Sequence, residues 1–101
     1  VNLMADEKLE DAIEVFEQAL RIEPDNVETL MKIGYARFHL DEYPEALRVY
    51  DKILEIDVTN PEAWNLKGLV HYEQKKYAKA LDSAQKAIES DRSIRSIETF
   101  N

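Results

Sequence analysis

Apolar residues recur along the chain at intervals of three and four, with charged residues between them, and this spacing predicts a succession of amphipathic helices. In the segment from Asp6 to Ile22, one stripe consists of Leu9, Ala12, Ile13, Phe16, Ala19 and Leu20, separated by Glu10, Glu14, Glu17 and Arg21. Asp6 and Glu7 suit the positive N-terminal end of such a helix and Arg21 its C-terminal end, while Pro24-Asp25-Asn26 stops it. Upstream, Leu3 and Met4 read as the end of a truncated helix.

A second helix is predicted from Val27 to Leu40, capped by Asp25 or Asn26, and it carries two apolar stripes. Leu30, Ile33 and Gly34 make the first; Met31, Tyr35 and Phe38 make the second, too far round the helix for one neighbour to cover both. A groove or a further partner is implied. After Asp41-Glu42 a third helix takes Tyr43, Ala46, Leu47, Tyr50, Ile53 and Leu54 inward, with Pro44 tolerated in its first turn. Val58-Thr59-Asn60 breaks that pattern. Pro61 opens a fourth helix to Gln74, capped by Asn60, and Tyr77 to Glu89 forms a fifth with Ala80, Leu81, Ala84, Ala87 and Ile88 on one side. The linkers are only turns, so successive helices pack as antiparallel neighbours in an all-α fold.

Leu30 and Trp64, Gly34 and Gly68, Tyr43 and Tyr77, and the series Ala12, Ala46, Ala80 are all spaced by 34 residues, a helix-turn-helix period. Gly34 and Gly68 let the first helix of each pair approach the second at Ala46 and Ala80, and Tyr50 or Phe16 fills the wider space one turn on. These residues resemble the tetratricopeptide repeat. The match is carried by Trp64, Gly68, Ala80 and Ala87, by Leu30, Ile33, Gly34, Ala46 and Tyr50, and by Ala12, Phe16, Ala19 and Pro24. The departures are Arg37 and His71 for Tyr, Lys67 for Leu, Ile53 for a small residue, Ala84 for an aromatic, and Val58 and Arg92 for Pro. Lys67 and Arg37 are expected to lay their stems on apolar surface and keep their charges in water. The resemblance implies a right-handed superhelical solenoid of antiparallel helix-turn-helix repeats. It divides one domain over residues 1–101 into a partial first repeat (1–26), a second (27–60), a third (61–94) and a tail (95–101). The first repeat lacks nearly all of its first helix, which leaves Ala12, Val15, Phe16 and Ala19 without full cover.

Functionally the resemblance implies a non-catalytic scaffold that binds a peptide or helix in a concave groove lined by the first helix of each repeat. The second stripe, Met31, Tyr35 and Phe38, is repeated by Asn65, Leu69 and Tyr72, with His39 and Glu73 beside it, and these eight residues are the candidate partner-binding surface. The alternative is that the aromatic residues pack against adjacent repeats. Some family members clamp the carboxylate tail of heat-shock chaperones, but here Lys32 stands where Asn is wanted, and Glu62 and Leu66 where Lys and Arg are wanted. That ligand would meet acidic walls.

The formal net charge of -8 argues against a general nucleic-acid or anionic-membrane surface, both of which are held largely by Lys and Arg. There is no cysteine, and hence neither a disulfide framework nor a thiolate site. His39 and His71 lie on different repeats as partly exposed histidines, so no metal site is expected. No nucleophile, base and orienting group fall together, and no phosphate-binding glycine loop is present, so neither catalysis nor a cofactor is expected. No apolar run approaches membrane-spanning length and no signal peptide opens the chain, so a cytoplasmic location is the expectation. Val1 in place of an initiator methionine suggests an excised fragment.

Charge changes the picture at the ends. Residues 1–26 carry two basic and eight acidic groups, 27–60 four and seven, and 61–94 six and five. This asymmetry motivates a second function from another class: a structural unit whose copies associate through their terminal helices, the acidic face around Phe16 meeting the side that carries Lys75, Lys76, Lys79 and Lys86.

Overall fold

Each turn between helices is written in residues that stop one helix and start the next. The computed structural model describes residues 3–100, and side chains for residues 6–91. Among them are five helices: α1 (Leu3–Ile22), α2 (Val27–His39), α3 (Tyr43–Ile56), α4 (Pro61–Glu73) and α5 (Tyr77–Phe100). Asn26 caps α2 by accepting from the Thr29 N–H at 3.1 Å, and Asn60 caps α4 by accepting from the Ala63 N–H at 2.9 Å. Each thereby satisfies a donor that the helix itself cannot. Pro44 and Pro61 occupy first turns, where no intrahelical donor is lost.

The turns that close α2 and α4 are the same turn, used twice. Asp41 and Lys75 both adopt positive φ, 60° and 63°. In the first, the N–H groups of Asp41 and Glu42 donate to the Phe38 and Arg37 carbonyls; in the second, those of Lys75 and Lys76 donate to the Tyr72 and His71 carbonyls. This double reverse bond terminates a helix while pairing its last carbonyls. The chain reverses there, and α1 to α5 pack each against the next in sequence. The result is an all-α helical-repeat solenoid.

Two helix ends differ from the sequence pattern. Leu3 belongs to α1 itself rather than to a preceding helix, because nothing from Leu3 to Asp6 breaks a helix. At the other end, α5 runs beyond Glu89 to Phe100 through most of the segment assigned to a tail, since neither Gly nor Pro interrupts residues 89–100. Residue 101 lies outside the described residues, and the side chain of Arg92 outside the described side chains.

The main core joins Leu30, Ala46, Tyr50, Ile53, Leu54, Ala63 and Val70, and a smaller cluster joins Ile13, Ile33 and Ala36 between α1 and α2. Tyr50, Ile53 and Val70 are fully buried. Ile53, where the repeat favours a small residue, is thus accommodated at the centre. On α5 the packing differs from the pattern: Ser83 is buried, whereas Leu81 and Ile88 are 61% and 54% exposed. Their counterparts one period earlier, Leu47 and Leu54, are covered by the repeat that follows them. The described residues of α5 have no such successor.

Of the two glycine contacts, the one between α2 and α3 is the tighter. A Cβ built on Gly34 would lie 2.5 Å from Cε1 and 2.9 Å from Cζ of the buried Tyr50 ring, whereas one on Gly68 would meet Ala80 O and Ser83 Cβ at 3.3 Å. Gly34→Ala is expected to cost about 1–3 kcal/mol, because a fully packed ring must shift. Gly68→Ala should fall within about 1 kcal/mol of wild type, the tight contact being offset by better helix propensity. Urea unfolding of both variants checks this; equal costs would show that Tyr50 yields freely.

Candidate functional site

α2 and α4 each present one face to the core and another to solvent, and the candidate residues are distributed over the second. Three cavities open there; one lies between Glu62 and Asn65 of α4 and Ala84, Ala87 and Ile88 of α5, and the other two are lined by candidate tyrosines. The first, about 400 Å³, is shared by three helices: Leu9 and Phe16 from α1, Met31 and Tyr35 from α2, and Glu62 and Leu66 from α4. The second, about 380 Å³, lies on the α4–α5 side and is lined by Asn65, Leu69 and Tyr72 with Tyr77 and Leu81.

The eight candidate residues are distributed over these cavities and their rims. Met31 and Tyr35 line the first cavity; Asn65, Leu69 and Tyr72 line the second. Phe38 is half-buried, packed on the main core and tilted against Tyr43 at 5.8 Å between ring centroids. His39 is exposed and stacked edge-on to Tyr35 at 4.3 Å; Glu73 is exposed. Tyr35 and Tyr72 are both more than half exposed, and Tyr72 packs edge-on to Tyr77 at 5.6 Å. Met31 is partly buried against the core, so it serves packing and the cavity together.

Most of the first cavity's lining is absent from the candidate set, including the large apolar residues Leu9, Phe16 and Leu66. Leu66 stands one period after Lys32, and its exchange of a cation for an aliphatic chain was a visible signal. Leu9 and Phe16 read as core by spacing. The signal for Phe16 was the lack of a first helix to cover its repeat.

The electrostatics of the first cavity are mixed at the rim and apolar within. Lys32 pairs with Glu28 at 3.6 Å and lies 5.9 Å from the Phe16 ring centroid. The Tyr50 hydroxyl is buried and has no hydrogen-bond partner among the described residues. Burial, with smaller contributions from Glu62 and Tyr35, raises this phenol above the usual tyrosine range, so it stays neutral.

On the opposite side of α4, Lys67 pairs with Asp51 at 2.6 Å, and on α2 Arg37 pairs with Glu42 at 2.9 Å and Glu17 at 3.2 Å. Their charges are thus neutralised by carboxylates and not by water alone. His71 is also not a surface histidine, being only 8% exposed. Among the described residues, no group of three or more His, Cys, Asp or Glu side chains could hold a metal ion, and no helix is long and apolar enough to cross a membrane.

A family model described as tetratricopeptide repeat matches residues 3–70, and a second with the same description matches residues 61–93. Among curated proteins, no sequence matches the chain significantly. Among solved structures, a crystal structure of MamA superposes with a TM-score of 0.83 at 22% identity, covering 94% of this chain and 55% of that one. The TPR domain of Sgt2 from Aspergillus fumigatus gives a TM-score of 0.77 at 26% identity, over 87% of this chain and 58% of that one. The second TPR of Spaghetti (RPAP3), bound to the HSP90 peptide SRMEEVD, gives 0.74 at 18% identity, over 80% and 75%. The chain spans about half the length of the MamA structures it matches.

Burial, reinforced by Lys67, Lys79 and Lys76 and opposed by Gln74, lowers the pKa of His71. The fold holds the ring neutral, whereas the unfolded chain takes up the proton near the usual value of about 6.5. The contribution of His71 to stability should therefore be intact above about pH 7 and decline as pH falls through 6.5 towards the folded value. Urea unfolding across that range is expected to show the decline, and His71→Gln is expected to flatten it. An unchanged slope in the variant would assign the dependence to other groups.

Proposed function

Because the chain belongs to the tetratricopeptide repeat family, we propose that it is a non-catalytic protein-interaction module whose partner lays an apolar stretch of peptide or helix into the cavity shared by α1, α2 and α4. The observation that carries this reading is the lining itself. Leu9, Phe16, Met31 and Leu66 supply an apolar floor, and exposed Tyr35 stands at its edge with an aromatic face and a hydroxyl. Small pockets of this kind take an anchoring side chain, and aromatic rims exclude water from it.

The partner's character follows from the rim. The HSP90 peptide held by the Spaghetti domain ends in acidic residues. Here Glu62 and Leu66 line the first cavity, and Lys32, its cation, lies 3.6 Å from Glu28. An apolar anchor flanked by neutral or basic residues suits these walls better than an acidic tail.

Peptides selected on the protein by display test the reading. Leu66→Lys and Tyr35→Ala are each expected to weaken binding about tenfold or more, with helical circular dichroism unchanged. Tyr72→Ala reports whether the second cavity extends the same groove. Retained affinity in both Leu66→Lys and Tyr35→Ala would remove the first cavity from the binding site.

A second reading, association of copies through their ends, is favoured by the uncovered apolar face of Leu69, Leu81 and Ile88. Val15 and Ile22 on α1 are likewise exposed. In this reading the apolar face supplies the contact, while Lys79 and Lys86 line a cleft around Trp64. Sedimentation at high protein concentration is expected to give a mass above that of a monomer, restored to monomer by Leu81→Glu with Ile88→Glu. A monomeric mass for the wild type overturns it.

A further inference from the structure

The chain is acidic as a whole, yet one cleft gathers three of its eight lysines. A helix turns 100° per residue, so Trp64, Lys67 and His71 fall on the face of α4 opposite Glu62, Asn65, Leu69 and Tyr72. That face borders α3 and α5 across a cleft of about 380 Å³, to which α5 contributes Lys79, Ser83 and Lys86. The cleft is separate from the cavities of the interaction face.

Its cations are unequally committed. Lys67 is bound to Asp51 at 2.6 Å. Lys86 is held loosely, 3.5 Å from Asp82, with its ammonium 4.8 Å from the centroid of the Trp64 ring. Lys79 makes no ion pair among the described residues. Three lysines thus face two carboxylates in the lining, and Lys76 adds its charge nearby.

A second observation lies at the base of the cleft. His71 is more than nine-tenths buried, and its Nδ1 is without a partner of hydrogen-bond geometry. Gln74, whose own Oε1 is also unpaired, lies near enough to favour the protonated ring without meeting that geometry. Nearby Lys67, Lys79 and Lys76 disfavour protonation of this ring, so an anion held among those lysines would ease its protonation.

We propose that this cleft binds a phosphate group, free or esterified, between Lys79 and Lys86, with Trp64 as its wall. A dianion placed there gains charge-assisted hydrogen bonds from two ammonium groups without displacing the short Lys67 pair. It also offsets the positive field that acts on His71. Asp51 and Asp82 oppose the anion by repulsion, which weakens binding, and the exposure of Lys79 and Lys86 makes it sensitive to salt.

Trp64 is the single tryptophan of the chain and reports on its own wall. Its emission is to be followed during titration with inorganic phosphate, and separately with phosphoserine, at constant ionic strength balanced with chloride. A saturable change is expected with at least one of them, and tighter binding of phosphoserine identifies an esterified ligand. The double variant Lys79→Gln, Lys86→Gln should weaken it about tenfold or more, whereas Lys52→Gln, elsewhere on α3, should leave it unchanged. Proton NMR adds a readout that a structural role would not move: phosphate should raise the titration midpoint of His71 in the wild type and not in the double variant. No saturable response to either probe overturns the proposal, as does a response that survives the double variant.

Discussion

The passage of the Tyr50 ring across Gly34 is the contact on which the arrangement depends. With Cε1 only 2.5 Å from where a Cβ would stand, the α2 and α3 backbones can come together here only over a residue without a side chain. That approach packs Tyr50 with Leu30, Ile53 and Leu54, and the same cluster receives Ala63 and Val70 from the next repeat. One small position thereby sets both the spacing within a repeat and the surface offered to its successor. Close-packed interiors transmit such constraints because they have no slack to absorb them.

The other glycine shows that the period does not imply identical packing. Opposite Gly34 stands an aromatic ring; opposite Gly68 stand the backbone of Ala80 and the Cβ of Ser83. Ala84 occupies the place that Tyr50 holds one period earlier, so α4 and α5 meet on small residues. With no ring between them, these helices leave a cavity at Gly68, Ala80 and Ala84 on the α4–α5 side. The loss of one aromatic residue in the third repeat opens a space there.

Spacing made the helices, the caps and most of the core legible, because these depend on residues near one another in sequence. Asn26, Asn60 and the proline positions act within a single turn, and Ala46, Tyr50, Ile53 and Leu54 follow from periodicity alone. What depends on the neighbouring repeat was not legible. Leu81 and Ile88 carry an inward pattern, but a pattern states only which face is apolar, not whether a helix covers it. His71 was misread as partly exposed for the converse reason: a polar residue at a packing position is buried by its surroundings whatever its own preference. The lining of the first cavity was not legible for a third reason. Met31 and Tyr35 are completed by Leu66 and by α1, contacts that no helical wheel of α2 alone contains.

α4 shows how a repeat helix can carry two chemistries without conflict. Ala63 and Val70 fix it in the core, leaving two flanks free to vary. One flank exchanges the Lys32 of the preceding repeat for Leu66 and becomes apolar; the other exchanges Ile33 for Lys67 and Arg37 for His71. The polar flank is held in register by the Trp64 indole N–H, which donates to the Val58 carbonyl at 3.2 Å. That bond ties the position that identifies the repeat to the turn before α4, where Val58 stands in place of proline. The Trp64 ring is then fixed as a wall on which the ammonium groups of Lys67 and Lys86 rest at 5.3 and 4.8 Å. Cation–π contact holds these charges close to apolar surface at little cost. The residue that specifies the fold therefore also organises the one basic cleft described in an acidic chain.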